Sequence, residues 1–522
     1  MKFQWLAFAL VIVAGAVVRF WGLGEASLWL DEAASVQFAG LPWSTLWLTG
    51  YDNAPPLYYS VLKVVLSVSD SEFAVRLPSV VFGVLTIAVV YWAGLLVAGA
   101  WGALAAALVF ALSAAQVEYS QEARAYSLLV LALALALVGL LWFFRQDVKH
   151  DGAIDSGEAR SRQAAALALY ALGILIALYT HNIAVFFVLV AQLAFAFHWT
   201  LNAGDRGRLA VAWLVANGVV FLLWLPWLYI ILTELLGNGS LAWLSQASAE
   251  EALQTWRDVQ GFAFVWRGQP WLDISLGVLC LIGAYRLRRK PSVVVVLLLV
   301  SVLGPLLIWL IGYVHPLFME RSIVWSYLGA ALLLGAGVAT PKSPYGIAVL
   351  VLLAAISARG LTSFFELGAT ENEDWRTAFI AWRQLVVPPK PAQAALFCSA
   401  ATAIPMLYYA RQEKSLPPLL AWGTTDGGPG IALLADRSTA DLNKPDWLEE
   451  IPQGLFLWKR GAIDEGRRLL PPLPDDGCWR EPAWQRLAVV FSHCPEDSAD
   501  ALNTALSDAG WALRVSSEFI GG

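Results

Sequence analysis

Apolar runs of membrane-spanning length constrain this chain before anything else does. Leu128 to Phe144 and Val293 to Trp309 are almost uninterrupted by charge. They approach the roughly 18 apolar residues that mark a transmembrane helix. Charged residues make up 14% of the chain, hydrophobic residues 58%, and mean hydropathy is +0.62. A soluble globular protein carries nearer ~25% charge. The pattern predicts a polytopic α-helical membrane protein with about eleven spans. The expected spans are 3–22, 77–97, 102–118, 125–144, 164–180, 182–199, 209–231, 271–286, 292–313, 322–340 and 345–363. The net charge of −6 is modest and no basic run points to nucleic acid. Lys2, the apolar core and Ala14-Gly15-Ala16 also have the parts of a cleavable signal peptide. The continuing Arg19-Phe20-Trp21 favours a retained first span.

Four connections are basic or mixed: 145–163, 201–208, 286–291 and 341–344. Each is separated from the next by two spans, so all four fall on one side. The bias of Lys and Arg toward inner loops makes that side the cytoplasm. Ser27-Leu28-Trp29-Leu30-Asp31-Glu32-Ala33 then emerges on the outer face. Parity requires that Pro55 to Val68 not cross, so that it packs in the outer interface with an amphipathic helix around Asp31–Trp47. The outer side receives loops 20–76 and 232–270 and everything after the last span. Residues 1–365 therefore form the expected membrane domain and residues 366–522 a soluble α/β domain outside the cytoplasm. In that domain Ala394–Ala400, Gly430–Leu434, Arg486–Ser492 and Trp511–Ser516 have strand patterns, and Asp497–Ala509 a helical one. It holds 21 acidic and 14 basic residues, so net charge does not fit it to clamp a polyanion. Cys478 and Cys494 are candidates for a disulfide in an oxidising compartment; Cys280 belongs to a span.

Acidic groups beside hydrocarbon are costly to ionise, and where they persist they tend to be functional. Asp31 and Glu32 stand where the first span leaves the bilayer, between Trp21 and Trp29. Two explanations compete: they begin a surface helix, or they do chemistry. Asp52, Tyr58 and Tyr59 follow in the same loop. In Glu118-Tyr119-Ser120-Gln121-Glu122-Ala123-Arg124-Ala125-Tyr126, helical spacing puts Glu118, Glu122 and Tyr126 on one face. Arg124 points elsewhere, to pair with a glutamate or to bind a phosphate through its planar fork. His181 lies between two spans, and Arg321 follows Glu320 before another. Arg19 and Arg76 are expected to snorkel to the interface. An outward-facing enzyme would use Asp31 as base and cations to hold a leaving phosphate. A transporter or flippase would use the same groups as substrate or proton sites. No paired broken helices in two related halves are evident in the sequence, which favours the enzyme.

Five stretches in order carry a resemblance: Ser27 to Ala33, Pro55-Pro56-Leu57-Tyr58-Tyr59, Arg76-Leu77-Pro78-Ser79 with Phe82 to Thr86, Tyr119 to Tyr126, and Tyr179-Thr180-His181. Together they resemble the bacterial family 39-type glycosyltransferases of the GT-C superfold, akin to protein O-mannosyltransferases and the lipid A aminoarabinose transferase. The resemblance covers about residues 1–340 and is strongest before 200. It implies transfer of a sugar from a polyprenyl-phosphate donor to a lipid, glycan or protein acceptor at the outer face of the cytoplasmic membrane. On this resemblance Asp31 and Glu32 are the catalytic candidates, and Arg124 and Arg321 are the donor-phosphate ligands. Asp52, Tyr58, Tyr59, Glu122, Tyr126 and His181 are candidates for substrate binding. No cofactor is implied with certainty; a divalent metal beside Asp31 is left open, since the superfold has metal-using and metal-free members. Two departures stand out. Many relatives have His before the Pro-Pro pair where this chain has Ala54, and Arg-Tyr where it has Arg321-Ser322.

Overall fold

A left-handed glycine divides what would otherwise be one very long helix. The computed structural model describes residues 2–48, 54–146, 156–202, 206–237, 246–260, 270–338, 344–371, 374–386, 393–397, 403–411, 419–425, 428–435 and 486–490. Helix α5 runs from Glu72 to Ala111 but is two helices joined at Gly99, whose φ of 74° and ψ of −174° are not helical. Only glycine takes that conformation without strain. The chain reverses there: a Cβ on Gly94 would lie 2.5 Å from the Ala103 Cα. Nine residues of unbroken helix would instead separate those positions by about 13 Å. The expected spans 77–97 and 102–118 are thus the two arms of a helical hairpin, the second continued by α6 (Ala114–Gln121).

The other apolar runs also form helices. They are α1 (Lys2–Phe20), α7 (Tyr126–Gln146), α8 (Ser156–Leu178), α9 (Ala184–Leu201) and α10 (Arg206–Gly237). Beyond α11 (Ala249–Val259) come α12 (Pro270–Arg286), α13 (Pro291–Leu298), α14 (Gly304–Ile311), α15 (Glu320–Ile323), α16 (Tyr327–Val338) and α17 (Pro344–Glu371). A π-turn at Leu299–Leu303 joins α13 to α14, and a 3-10 turn at Val324–Ser326 joins α15 to α16. Among the described residues seven helices are long and apolar enough to cross a membrane. Gln4–Phe20, Leu57–Leu66, Ile274–Arg286 and Gly346–Thr362 are shorter apolar helices. The chain is a mostly helical, multi-pass membrane protein.

Burial sorts the helices into centre and rim. In Glu320–Val338, 94% of the apolar window is buried, and in Tyr126–Arg145, 89%, against 17% in Arg206–Thr233. Without a hydrophobic force between helices in lipid, close packing through small residues supplies cohesion. A Cβ on Gly139 would meet the Tyr170 backbone nitrogen at 2.4 Å, and one on Gly173 the Ala136 nitrogen at 2.5 Å. These two contacts seat α7 against α8. Arg19 does not snorkel; it is fully buried. It donates from Nε to Ser120 Oγ (3.1 Å) and from Nη1 to the Gly15 and Ala111 carbonyls (3.0 and 2.8 Å). A lone guanidinium in low dielectric needs such acceptors.

At the end of the bundle where α1 stops and α5 starts, three short helices intervene. They are α2 (Leu30–Gly40), α3 (Trp43–Leu48) and α4 (Leu57–Leu66). With ten residues, α4 is about 15 Å long, half of what a bilayer core requires. Leu28, Phe38, Leu41, Tyr58, Tyr59 and Leu62 form an apolar cluster there. At the opposite end Lys290 donates to the Val97 carbonyl at 2.9 Å, beside the Gly99 turn.

After α17 come α18 (Trp375–Val386), β1 (Gln393–Phe397), α19 (Ala403–Ala410), β2 (Leu419–Thr425), β3 (Gly428–Ala435) and β4 (Arg486–Val490). The strands lie in the order β3-β2-β1-β4. β1 pairs in parallel with β2 and β4, and β2 pairs antiparallel with β3. Parallel neighbours need a crossover, and α19 lies in the one between β1 and β2. Strand β2 has no counterpart in the sequence expectation. The helix expected at 497–509, the strand at 511–516, and Cys398, Cys478 and Cys494 lie outside the described residues. Cys280 is a free thiol.

Candidate active site

The site is built on the first turn of α2. Trp29 is extended and precedes it, and Asp31 and Glu32 occupy the turn, where the helix dipole favours negative charge. Lys63 of α4 closes the other end, donating to the Ala39, Gly40 and Leu41 carbonyls at 3.3, 3.2 and 2.6 Å. The helix is thus held at both poles by groups of the correct sign.

Glu32 is 1% exposed and its oxygens are taken. Oε1 accepts from Arg76 Nε at 2.7 Å and from the Ala123 N–H at 2.8 Å. Oε2 accepts from Arg76 Nη2 at 2.6 Å and, more weakly, from the Trp29 N–H at 3.4 Å. Arg76 is buried rather than snorkelling, and its remaining protons go to the Leu23, Ala26 and Ser27 carbonyls at 3.0, 2.8 and 2.8 Å. One ion pair therefore pins the segment before α2, the start of α2 and the loop after α6. Sequence reasoning passed over Arg76 as a partner, although it stood in one of the motif stretches. Lys63 and Ser79 were missed as well; Ser79 Oγ bonds the Tyr58 hydroxyl (2.9 Å) and the Arg124 carbonyl (3.2 Å).

Asp31 faces cations instead. Its Oδ2 accepts from Arg321 Nη1 at 2.8 Å, with Arg124 Nη2 at 3.6 Å. The three side chains are partly open, at 27%, 24% and 17% exposure. Arg124 also donates from Nη1 to the Asp31 carbonyl (3.2 Å) and Ser35 Oγ (3.1 Å), and lies over the Tyr126 ring at 5.7 Å. Arg321 donates from Nε to the Met319 sulfur. The structure thus brings Asp31, Arg124 and Arg321 together across three separate elements. Two guanidiniums against one carboxylate suit an incoming anion and oppose a cation. Among the described residues no group of three His, Cys, Asp or Glu side chains is placed to hold a metal ion.

Around this centre sit Glu122, Tyr126 and His181. Tyr126 is buried between Tyr119 and His181, with ring centroids 5.2 and 5.6 Å away. His181 Nδ1 accepts the Ile183 N–H at 3.2 Å, which leaves the ring proton on Nε2. Burial, with Arg124 and Arg321 nearby, pulls its pKa down to about 3. The imidazole is neutral at physiological pH. Glu122 follows α6, and its Oε2 is enclosed without a hydrogen-bond partner. Burial, with Glu32 and Asp31 close by, raises its pKa to about 8 against the opposing pull of Arg124 and Arg321. Tyr58 and Tyr59 are buried in the apolar cluster around α2 and α4 rather than lining an opening. Asp52 lies outside the described residues.

Residues 53–154 match the family model described as dolichyl-phosphate-mannose-protein mannosyltransferase. No curated protein matches the chain by sequence. Among solved structures, ArnT from Cupriavidus metallidurans bound to undecaprenyl phosphate is similar at 15% identity and a TM-score of 0.57, over 98% of this chain and 96% of that one. The archaeal oligosaccharyltransferase AglB from Archaeoglobus fulgidus, in complex with an inhibitory peptide and a dolichol-phosphate, is similar at 13% identity and a TM-score of 0.53, over 77% and 63%. The S. cerevisiae Pmt1–Pmt2 complex matches over 44% of this chain at 20% identity and a TM-score of 0.36. The chain spans about a third of the length of that yeast relative and under two thirds of the archaeal one. At these identities the likeness is one of fold. The chain thus shares the fold of these transferases, and residues 53–154 match the protein mannosyltransferase family.

Proposed function

We propose that this chain transfers a sugar from a polyprenyl-phosphate carrier to an acceptor at the outer face of the cytoplasmic membrane. The observation that carries the reading is the meeting of Asp31 with Arg321 and Arg124 at one end of an apolar bundle. The anomeric carbon of a sugar phosphate already bears a good leaving group. Transfer needs a carboxylate to take the acceptor proton and positive charge to receive the phosphate. Asp31 supplies the first, and no hydrogen bond occupies its Oδ1 among the described residues. Arg124 and Arg321 supply the second, exchanging Asp31 for the donor phosphate. Glu32, saturated by Arg76, acts by holding α2 rather than by touching substrate. Tyr126 lies under Arg124, and His181 packs against its ring. One displacement inverts the anomeric centre, which product stereochemistry tests.

The reading carries a topology of about eleven spans, with 1–365 as the membrane domain and 366–522 as an outward-facing α/β domain. The contact of Lys290 with Val97 supports it, because it groups a basic loop with the Gly99 turn at the end away from Asp31. Full-length protein in liposomes, given polyprenyl-phosphate sugars and lipid, glycan or peptide acceptors, tests the function. We expect free polyprenyl phosphate and glycosylated acceptor, both lost in Asp31→Asn with the protein still inserted. Movement of intact donor across the bilayer without cleavage would instead make the chain a transporter.

A further inference from the structure

Asp31, Glu32 and Glu122 gather at the α2 end of the bundle, with Glu118 and Glu320 close by around Tyr119, and arginines pair with the first two. Arg76 meets Glu32 at 2.6 Å, while Arg321 and Arg124 meet Asp31 at 2.8 and 3.6 Å. Glu122 is the third, and its Oε2 is enclosed with no partner. It is not remote from the others. The next residue in the chain gives its N–H to Glu32 at 2.8 Å, and the one after that is Arg124, which bonds the Asp31 carbonyl at 3.2 Å. A carboxylate oxygen enclosed without a hydrogen-bond donor is costly, and protonation removes the charge.

We infer that the Glu122 carboxyl is a third phosphate-binding group of this site, an uncharged hydrogen-bond donor beside Arg124 and Arg321. The inference rests on reading the site as a receptor for lipid phosphate. An ionised Glu122 would repel that phosphate; a neutral one donates a hydrogen bond to a phosphate oxygen and so gains the partner it lacks. The groups facing Glu122 are Asp31 and Glu32 from α2, Arg124 and Arg321, Tyr58 from α4 and Tyr119 from α6. The acids disfavour its ionisation and the two arginines favour it, and burial tips the balance to the neutral form up to about pH 8. The sign follows: the proton is held below that pH and lost as pH rises through it.

Binding of undecaprenyl phosphate to the full chain in nanodiscs provides the test, at pH 7 and pH 9.5. A phosphate monoester, with its second pKa near ~6, is already doubly ionised across most of that range. Wild-type affinity should fall about tenfold or more between the two pH values. Glu122→Gln, which keeps a donor and cannot ionise, should bind within about threefold of wild type at pH 7 and be indifferent to pH. Glu122→Ala should lose about tenfold at pH 7, the value of a hydrogen bond to a charged group. Flat wild-type binding, with Gln and Ala equally weakened or equally harmless, overturns the inference while leaving the lipid-phosphate reading intact. If wild type does not bind, or if Arg124→Ala and Arg321→Ala bind as well as wild type, the reading itself fails, and the inference with it. The pH titration of wild type needs no variant to fold.

Discussion

Asp31 and Glu32 are adjacent in sequence and opposite in surroundings. Asp31 is partly open between two arginines, whereas Glu32 is sealed against Arg76. The acidic pair was visible in the sequence, but its division of labour was not, because Arg76 lies 44 residues away and nothing local marks it as a partner. The two positions should therefore fail differently. Glu32→Gln strands a buried guanidinium and should cost about 3–5 kcal/mol of stability, read as a lowered Tm in detergent, while Asp31→Asn leaves Tm nearly unchanged and stops transfer. His181 gives a second test at this scale. Its folded-state pKa, about 3, lies below the unfolded value near 6.5. Stability is fully present above pH 6.5 and is lost as pH falls toward 3, because only the unfolded chain takes up the proton. At pH 4.5 the loss should be about 3 kcal/mol. Thermal unfolding of wild type and His181→Gln should converge on acidification; parallel curves would show that His181 is not held neutral.

At the scale of elements, the long apolar helices were legible because length and apolar content mark a membrane helix. The turn at Gly99 was legible only as a gap between two spans; its left-handed backbone and the contact it permits were not. That contact belongs to packing: the Gly94 position faces the Ala103 backbone at 2.5 Å from a hypothetical Cβ. Gly94→Leu must push the hairpin apart, and overpacking of this kind costs about 1–3 kcal/mol or more. We expect a lower yield of folded protein and a reduced Tm, while Leu at the open Gly207 or Gly218 position should be tolerated. Equal behaviour of the three variants by size-exclusion chromatography would show that the hairpin does not pack this closely. Strand β2 escaped the sequence reading for a related reason. Its seven residues follow the Pro417-Pro418 pair and include Gly423, so local pattern marks a loop, and only pairing with β1 and β3 makes it a strand.

Across the whole molecule, the segment after α17 reaches back to the residues that set the first turn of α2. Trp375, Phe379, Leu407 and Tyr408 join the apolar cluster of Leu28, Phe38 and Tyr59. Polar contacts follow the same seam. The Trp375 N–H donates to Ser27 Oγ at 3.1 Å, and the Tyr409 hydroxyl accepts the Leu28 N–H at 2.8 Å while donating to Glu72 at 3.1 Å. Ser27 and Leu28 immediately precede Trp29, the residue before α2, so this segment helps hold Asp31 in place. No sequence pattern announces a contact between positions 28 and 409, since it depends on where the fold returns the chain. Tyr409→Phe leaves the Leu28 N–H without its acceptor, at a cost of about 1–3 kcal/mol, and loosens the approach to Asp31. We expect kcat to fall several-fold with donor affinity unchanged, because Arg124 and Arg321 stand on other elements. A change confined to acceptor KM would instead make the segment a docking surface for the acceptor, with no part in holding the turn.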